Sequence, residues 1–163
     1  MIKLKLVQWV SVFLLVLLIS GCTGIYENGK ELAADTKSHI QEITVEELNN
    51  KIENSEDFFL IDIRQSKEFE KSNIPYSTSI PRGLLEFKIG DETFWEEEQW
   101  YVPEKDAEII IYCKKGHRGI LAAKVLSELG YSNVKNLKGG MRAWDPEFDS
   151  GSGTKQEESG CGG

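Results

Sequence analysis

The sequence predicts an α/β domain, in which helices pack on a mainly parallel sheet. Two short apolar runs, at residues 58–63 and 108–112, have the length and composition of buried strands. Residues 119–129 follow the second run and repeat apolar side chains at the spacing of an amphipathic helix. Because strands that alternate with helices form parallel sheets, this order favours the α/β class.

Composition and net charge exclude several other classes. The 163 residues are 40% apolar and 28% charged, which excludes collagen-like and wholly disordered chains. The net charge of −8 disfavours nucleic-acid binding, because an acidic surface is repelled by phosphate groups. The chain has three cysteines, two histidines and no Cys-x-x-Cys pair, so we expect no metal site.

Shifts in composition divide the chain into four parts. We expect a lipoprotein signal peptide over residues 1–21, a polar tether over 22–41, the folded domain over 42–148, and a flexible Gly/Ser-rich tail over 149–163. The folded part is long enough to bury one hydrophobic core.

Local signals place the elements of the folded part in order. Thr44 and Glu47 have the spacing of a capping box, so a helix should begin at Thr44. Gly130 is a natural end for the long helix. The remaining expected elements are a strand at 58–63, a helical turn at 66–70, a short strand at 78–80, a turn or helix at 81–87, an acidic aromatic excursion at 91–107, a strand at 108–112, a helix at 119–129, a strand at 134–137 and a helix at 140–144.

The N-terminal segment has the features of an export signal. Lys3 and Lys5 precede an apolar run that is shorter than the roughly 20 residues needed to span a membrane. Residues 18–22, Leu-Ile-Ser-Gly-Cys, resemble a bacterial lipobox, so Cys22 is the expected lipidation site. The protein would then be anchored to a membrane by lipid, in the bacterial cell envelope, facing the periplasm or the exterior. The alternative is an ordinary signal peptide or an uncleaved anchor.

Residues 113–118, Cys-Lys-Lys-Gly-His-Arg, form the candidate catalytic loop between the strand at 108–112 and the helix at 119–129. Cationic side chains and the positive end of a helix dipole favour the thiolate of Cys113, which is the nucleophilic form of cysteine. The candidate substrate-binding residues are Lys114, Lys115, Gly116, His117 and Arg118. The alternative is a buried cysteine at the end of a strand, beside an exposed basic loop.

These motifs, in their order along the chain, resemble those of single-domain rhodaneses, a family of sulfurtransferases. The resemblance runs from Ile43 to Trp144 and includes Leu-Ile-Asp-Ile-Arg at 60–64, Ile-Pro-Arg-Gly at 80–83, the loop at 112–118 and Gly-Gly-Met-Arg-Ala-Trp at 139–144. It implies a three-layer fold with a central sheet of about five strands.

The resemblance also implies a chemistry. Cys113 would accept a sulfane sulfur as a persulfide, which the loop amides from Lys114 to Arg118 would cradle. The donor would be a small anion such as thiosulfate, and the acceptor a thiol, cyanide or a protein. No cofactor is implied. One departure is Gly119, where the family commonly has a serine.

Two other functions stay open at this stage. The chain could be a non-enzymatic sulfur carrier or a module that binds an envelope protein. It could also be a phosphatase or arsenate reductase. Phosphatases of this superfamily have five residues between cysteine and arginine, whereas four separate Cys113 from Arg118, and a phosphoester should fit the smaller loop poorly.

Three further residues, Asp62, Arg64 and Cys161, carry two hypotheses. Asp62 could be a catalytic base, although a supporting ion pair or hydrogen-bond network with Arg64 is the favoured interpretation. Cys161 could be inert, or it could resolve or relay the sulfur of Cys113. The flexible tail spans 17 residues from Trp144 to Cys161, which gives a root-mean-square reach of about 20 to 25 Å.

Overall fold

The computed structural model describes residues 24–148, so the predicted signal peptide, Cys22 and the tail with Cys161 lie outside the described residues. No helix in the described part is long and apolar enough to cross a membrane. The helices are α1 (Gly29–Thr36), α2 (Val45–Glu53), α3 (Ser66–Lys71), α4 (Leu85–Lys88), α5 (Glu92–Glu97), α6 (His117–Glu128) and α7 (Met141–Trp144), with a 3₁₀ turn at Lys37–His39. The strands are β1 (Gln41–Ile43), β2 (Phe59–Asp62), β3 (Ser77–Ser79), β4 (Glu108–Tyr112) and β5 (Asn133–Leu137).

The strands form one five-stranded sheet in the order β1-β5-β4-β2-β3. Every neighbouring pair is parallel, and Asp62 at the end of β2 lies opposite Tyr112 at the end of β4. The predicted α/β class, with a parallel sheet of about five strands, is therefore confirmed.

Helices cover both faces of the sheet, which confirms the expected three layers. Because successive side chains of a strand point to opposite faces, the residues of β4 divide between two cores. Ile111 and the adjoining Cys113 pack in the core that includes Leu85, Trp95 and Leu126 from α4, α5 and α6. Tyr112 packs in the other core, with residues of α2 and α7.

The start of α2 and the end of α6 follow the predicted capping signals. The Thr44 hydroxyl accepts the Glu47 N–H at 3.2 Å, and the Glu47 carboxylate accepts the Thr44 N–H at 2.8 Å, so the capping box is formed. α6 is followed by Gly130 at φ +93°, the left-handed conformation that glycine adopts freely. α6 begins at His117, two residues earlier than predicted, because the turn into the helix is made at Gly116.

The structure corrects the predicted tether over residues 22–41. Its described part contains α1 and β1, which sequence reasoning did not anticipate. The Asn28 side chain caps α1 by accepting the N–H groups of Lys30 and Glu31. Ala33 and Thr36 are buried, and α1 packs against α6. A short helix in a polar segment escapes prediction because only one narrow face needs to be apolar.

Candidate active site

Cys113 lies where β4 ends and the loop toward α6 begins. Its side chain is buried, with 1% exposed, and its Sγ accepts the backbone N–H of Gly116 at 3.2 Å. Gly116 makes this turn at φ +90°, in the region that favours glycine. The loop therefore folds back on itself and points a backbone donor at the sulfur.

The start of α7 holds the loop from the other side. The backbone N–H of Met141 donates to the Cys113 carbonyl at 2.8 Å, and that of Arg142 donates to the Lys114 carbonyl at 3.1 Å. Gly140 permits this close approach, because a Cβ on Gly140 would overlap the carbonyl oxygen of Cys113. Sequence reasoning missed this role, although a pair of adjacent glycines before a short helix was a signal for it.

A pocket of about 560 Å³ opens over Cys113. Four of the predicted binding residues line it: Lys114, Lys115, His117 and Arg118. Lys115 and His117 are exposed, whereas Lys114 and Arg118 are half-buried. Gly116 does not line the pocket, and it contributes through its backbone N–H to Cys113 instead.

Residues outside the predicted loop complete the pocket. Asn28, Gly29 and Lys30 line it from the start of α1, and Leu121 lines it from α6. Among these lining residues there is no carboxylate, so the pocket suits an anion. Sequence reasoning missed the α1 residues because it treated their segment as a tether.

Asp62 and Arg64 form a buried ion pair. Both side chains are almost fully buried, and the Arg64 guanidinium donates to the Asp62 carboxylate from Nη2 at 2.6 Å and from Nε at 2.9 Å. Arg64 Nη2 also donates to the carbonyl of Ser72 at 2.6 Å. The pair thus links the end of β2 to the end of α3.

Tyr112 connects this ion pair to the strand that carries Cys113. Its ring lies 5.6 Å from the Arg64 guanidinium carbon. Its hydroxyl oxygen accepts the Ile74 N–H at 3.1 Å and lies 2.9 Å from the Ser77 hydroxyl. Burial, reinforced by the nearby Asp62 carboxylate, raises the pKa of the Tyr112 phenol, so the group stays protonated.

Gly119 is explained by a neighbour in β5. A Cβ on Gly119 would overlap the side-chain oxygen of the fully buried Asn136. The serine that is common in the family would therefore collide with Asn136, whose amide donates to Glu42 at 3.1 Å. The departure is a steric consequence of packing α6 on β5 around that asparagine.

A second cavity, of about 600 Å³, lies where β2 and β3 begin, at the opposite edge of the sheet from Cys113. Its walls include aromatic and acidic side chains, such as Trp100 and Glu98, and hold neither cysteine nor histidine. The cavities are of similar size, so their chemistry distinguishes them, and the nucleophile places the candidate site at the first. No group of His, Cys, Asp or Glu side chains that could hold a metal ion occurs within residues 24–148.

The chain has sulfurtransferase relatives at modest identity. A sulfurtransferase of Allochromatium vinosum is 32% identical over 105 residues, which cover 64% of this chain and 88% of the relative. A thiosulfate:glutathione sulfurtransferase of Saccharomyces cerevisiae is 31% identical, with coverage of 72% of this chain and 86% of the relative.

A solved structure from Rhodopseudomonas palustris, of a protein described as of unknown function and a possible tyrosine phosphatase, has a TM-score of 0.61 and 28% identity. The match covers 75% of this chain and 92% of that one. A family model, described as the rhodanese-like domain, matches residues 44–147. That span holds β2 to β5, which are four of the five strands, together with the Cys113 loop and α7. The chain thus belongs to the rhodanese-like domain family.

Proposed function

We propose that this protein is a sulfurtransferase that carries sulfane sulfur as a persulfide on Cys113. The carrying observation is the position of Cys113 in a pocket whose charged lining residues are all lysines or arginines. The sulfurtransferase relatives support the same class of reaction.

The pocket would first bind a small anionic donor such as thiosulfate. Lys114, Lys115 and Arg118 supply positive charge near the thiol, and His117 adds an imidazole to the lining. Because the lining holds no carboxylate, no negative side chain repels a dianion there.

The first chemical step is attack by the Cys113 thiolate on the outer sulfur of thiosulfate. A sulfur–sulfur bond forms on Cys113 while the sulfur–sulfur bond of thiosulfate breaks, and sulfite leaves with the electron pair. The Gly116 N–H, which already donates to Sγ, would stabilise the negative charge of the thiolate before attack.

The second step returns the enzyme to its starting state. A thiolate or cyanide attacks the outer sulfur of the persulfide, takes that sulfur, and releases the Cys113 thiolate with the electron pair of the broken bond. The two steps balance without an external oxidant or reductant, so the reaction needs no cofactor.

Intact-mass measurement after thiosulfate treatment tests the proposal directly. Wild type should gain the mass of one sulfur atom, peptide mapping should place it on Cys113, and cyanide should remove it as thiocyanate. Cys113→Ser should neither gain the sulfur nor form thiocyanate, at an unchanged melting temperature. Thiocyanate formation at the wild-type rate in Cys113→Ser would overturn the proposal.

Two variations are separated by the same experiment. A persulfide that forms on Cys113 but does not turn over with any small acceptor would indicate the sulfur carrier instead of the enzyme. Cys161→Ser tests the relay hypothesis: an unchanged persulfide lifetime, with no sulfur or disulfide on Cys161 in wild type, contradicts a relay.

A phosphatase is the second candidate, because one structural neighbour is described as a possible tyrosine phosphatase. The spacing of four residues between Cys113 and Arg118 argues against it. Hydrolysis of p-nitrophenyl phosphate that is lost in Cys113→Ser would favour the phosphatase, and its absence beside active sulfur loading would exclude it.

We further propose that the protein is a lipid-anchored component of the bacterial cell envelope. The lipobox-like residues 18–22 support this location. Only five residues separate Cys22 from Asn28, which lines the pocket, so an anchored Cys22 would hold the pocket within about 20 Å of the membrane. Metabolic labelling with a fatty acid should mark wild type and not Cys22→Ser, and equal labelling of both would refute the anchor.

A further inference from the structure

Helix α1 forms part of the wall of the pocket that holds Cys113. Asn28, Gly29 and Lys30 line this pocket together with the Cys113 loop. The family match begins at residue 44, so α1 lies outside the part of the chain that the family describes. The wall thus lies outside the matched family domain.

The backbone of α1 is held in place by its cap and its packed face. The Asn28 side-chain oxygen accepts the N–H of Lys30 at 3.0 Å and that of Glu31 at 3.2 Å. Ala33 and Thr36 are buried as α1 packs against α6. Lys30 therefore extends from an ordered backbone at the rim of the pocket.

The charge of Lys30 adds to that of the loop. The other charged or ionisable residues that line the pocket, namely Lys114, Lys115, His117 and Arg118, all belong to the Cys113 loop or the first turn of α6. Lys30 supplies positive charge from a separate element on another side. A doubly charged donor gains twice the electrostatic energy of a monoanion from such a charge, and a neutral reagent gains almost none.

We propose that Lys30 is a specificity-determining residue that selects anionic sulfur donors for the Cys113 pocket. This inference rests on the proposed sulfurtransferase function, because it concerns which donors that site accepts. Lys30 acts by attracting and orienting the anion, and takes no part in bond formation.

The test compares two alkylating reagents of similar size and different charge. Iodoacetate is an anion and iodoacetamide is neutral, and both react with a thiolate. Their rate constants at Cys113, followed by peptide mapping in the full chain, report the electrostatics of the pocket without requiring sulfur transfer. In Lys30→Gln the ratio of the iodoacetate rate to the iodoacetamide rate should fall about twofold to threefold.

The donor itself should show a larger effect. For thiosulfate, a dianion, Lys30→Gln should lower kcat/KM about threefold to tenfold, and most of the change should appear in KM. In about 1 M salt, where charges are screened beyond about 3 Å, wild type and variant should converge. Lys30→Arg should keep the wild-type values, which separates the charge from the shape of the side chain.

Lys67→Gln is the matched control, because Lys67 is an exposed lysine on α3 that does not line the pocket. It removes the same charge from the protein and should leave both the alkylation ratio and the kcat/KM for thiosulfate unchanged. An equal fall in Lys67→Gln and Lys30→Gln would mean that only net charge matters, and would overturn the inference.

The outcomes distinguish this inference from the proposed function. If wild type loads with sulfur but Lys30→Gln keeps the wild-type alkylation ratio and kcat/KM, Lys30 selects nothing and the function stands. If wild type fails to load while the alkylation ratio falls in Lys30→Gln, the function fails and the anion selectivity of the pocket stands.

Discussion

The segments that follow β2 and β4 start from neighbouring positions, because Asp62 pairs with Tyr112 in the sheet register, but they arrange charge in opposite ways. After β2, the Arg64 guanidinium and the Asp62 carboxylate satisfy each other and are shut off from solvent. After β4, the cationic side chains gather around one thiol and open into a pocket without a carboxylate.

The contrast explains why the charged residues at the ends of β2 and β4 serve different purposes. Desolvated opposite charges with good geometry form a closed unit that braces loops, and breaking it leaves a buried charge. Like charges that face an open pocket attract an anion, which is the class of substrate proposed above. Strand pleating separates the two units, since Tyr112 and Cys113 point to opposite faces of the sheet.

The largest effect is expected where the closed pair is broken. Arg64→Met leaves the Asp62 carboxylate buried without its partner, so the free energy of unfolding should fall by about 3–5 kcal/mol. Urea denaturation at neutral pH measures the loss, and Lys67→Met, at an exposed lysine, is the control. The double variant Asp62→Leu/Arg64→Met should recover much of the loss, and a double variant as unstable as Arg64→Met would contradict the explanation.

The next largest effect is expected in the Cys113 loop, at its contact with the start of α7. Gly140→Ala forces a side chain against the Cys113 carbonyl at φ +60°, which should cost about 1–3 kcal/mol of stability through backbone strain. Displacement of the loop should slow sulfur loading about 10- to 100-fold.

Gly83→Ala is the matched control for Gly140→Ala. A Cβ on Gly83 meets nothing within 4 Å, so both stability and sulfur loading should stay near wild type. Normal loading in Gly140→Ala would show that α7 does not need to approach the loop this closely.

Phe148 tests whether the closed unit, the Asp62–Arg64 ion pair, is coupled to the open unit, the Cys113 loop. Its ring centroid lies 5.9 Å from the Arg64 guanidinium carbon and 5.5 Å from the Lys114 ammonium, so one ring faces both units. Phe148→Ala should lower stability by about 0.5–1 kcal/mol and raise the KM for thiosulfate about twofold. Phe148→Trp, which keeps an aromatic face, should retain the wild-type KM. A rise in KM equal to that of Phe148→Ala would argue against the ring as the link.

A similarly small effect is expected at the other end of β4, where Glu108 is linked to Lys51 and Lys135. Burial alone would raise the pKa of Glu108, but hydrogen bonds from Lys135 and Lys51 outweigh it and lower the pKa from its ordinary value of 4.5. Because the folded pKa lies below the unfolded one, this group stabilises the fold above about pH 4.5, and the contribution is lost as pH falls through the folded pKa.

Glu108→Gln should therefore cost about 0.5–1 kcal/mol at neutral pH and flatten the decline of stability on acidification below about pH 4.5. Urea denaturation across that range measures both changes. Parallel pH profiles for wild type and Glu108→Gln would show that other carboxylates govern acid stability.

Much of the fold was predictable because its signals are local. β4 spans the residues expected from its apolar run, and the capping box at Thr44 forms as its spacing indicates. The three-residue strand β1 was missed because its burial depends on pairing with β5, and α1 was missed because its apolar face is only a few residues wide.

The sequence by itself determined the α/β class and the loop at 113–118, because apolar runs, capping residues and a cationic Cys-containing segment are local patterns. Only the tertiary structure decided that Lys30 joins the pocket and that Gly140 carries the contact with the Cys113 carbonyl. These contacts depend on elements that meet in space after packing, and the spacing of residues along a chain does not encode which distant side chain will face a given atom.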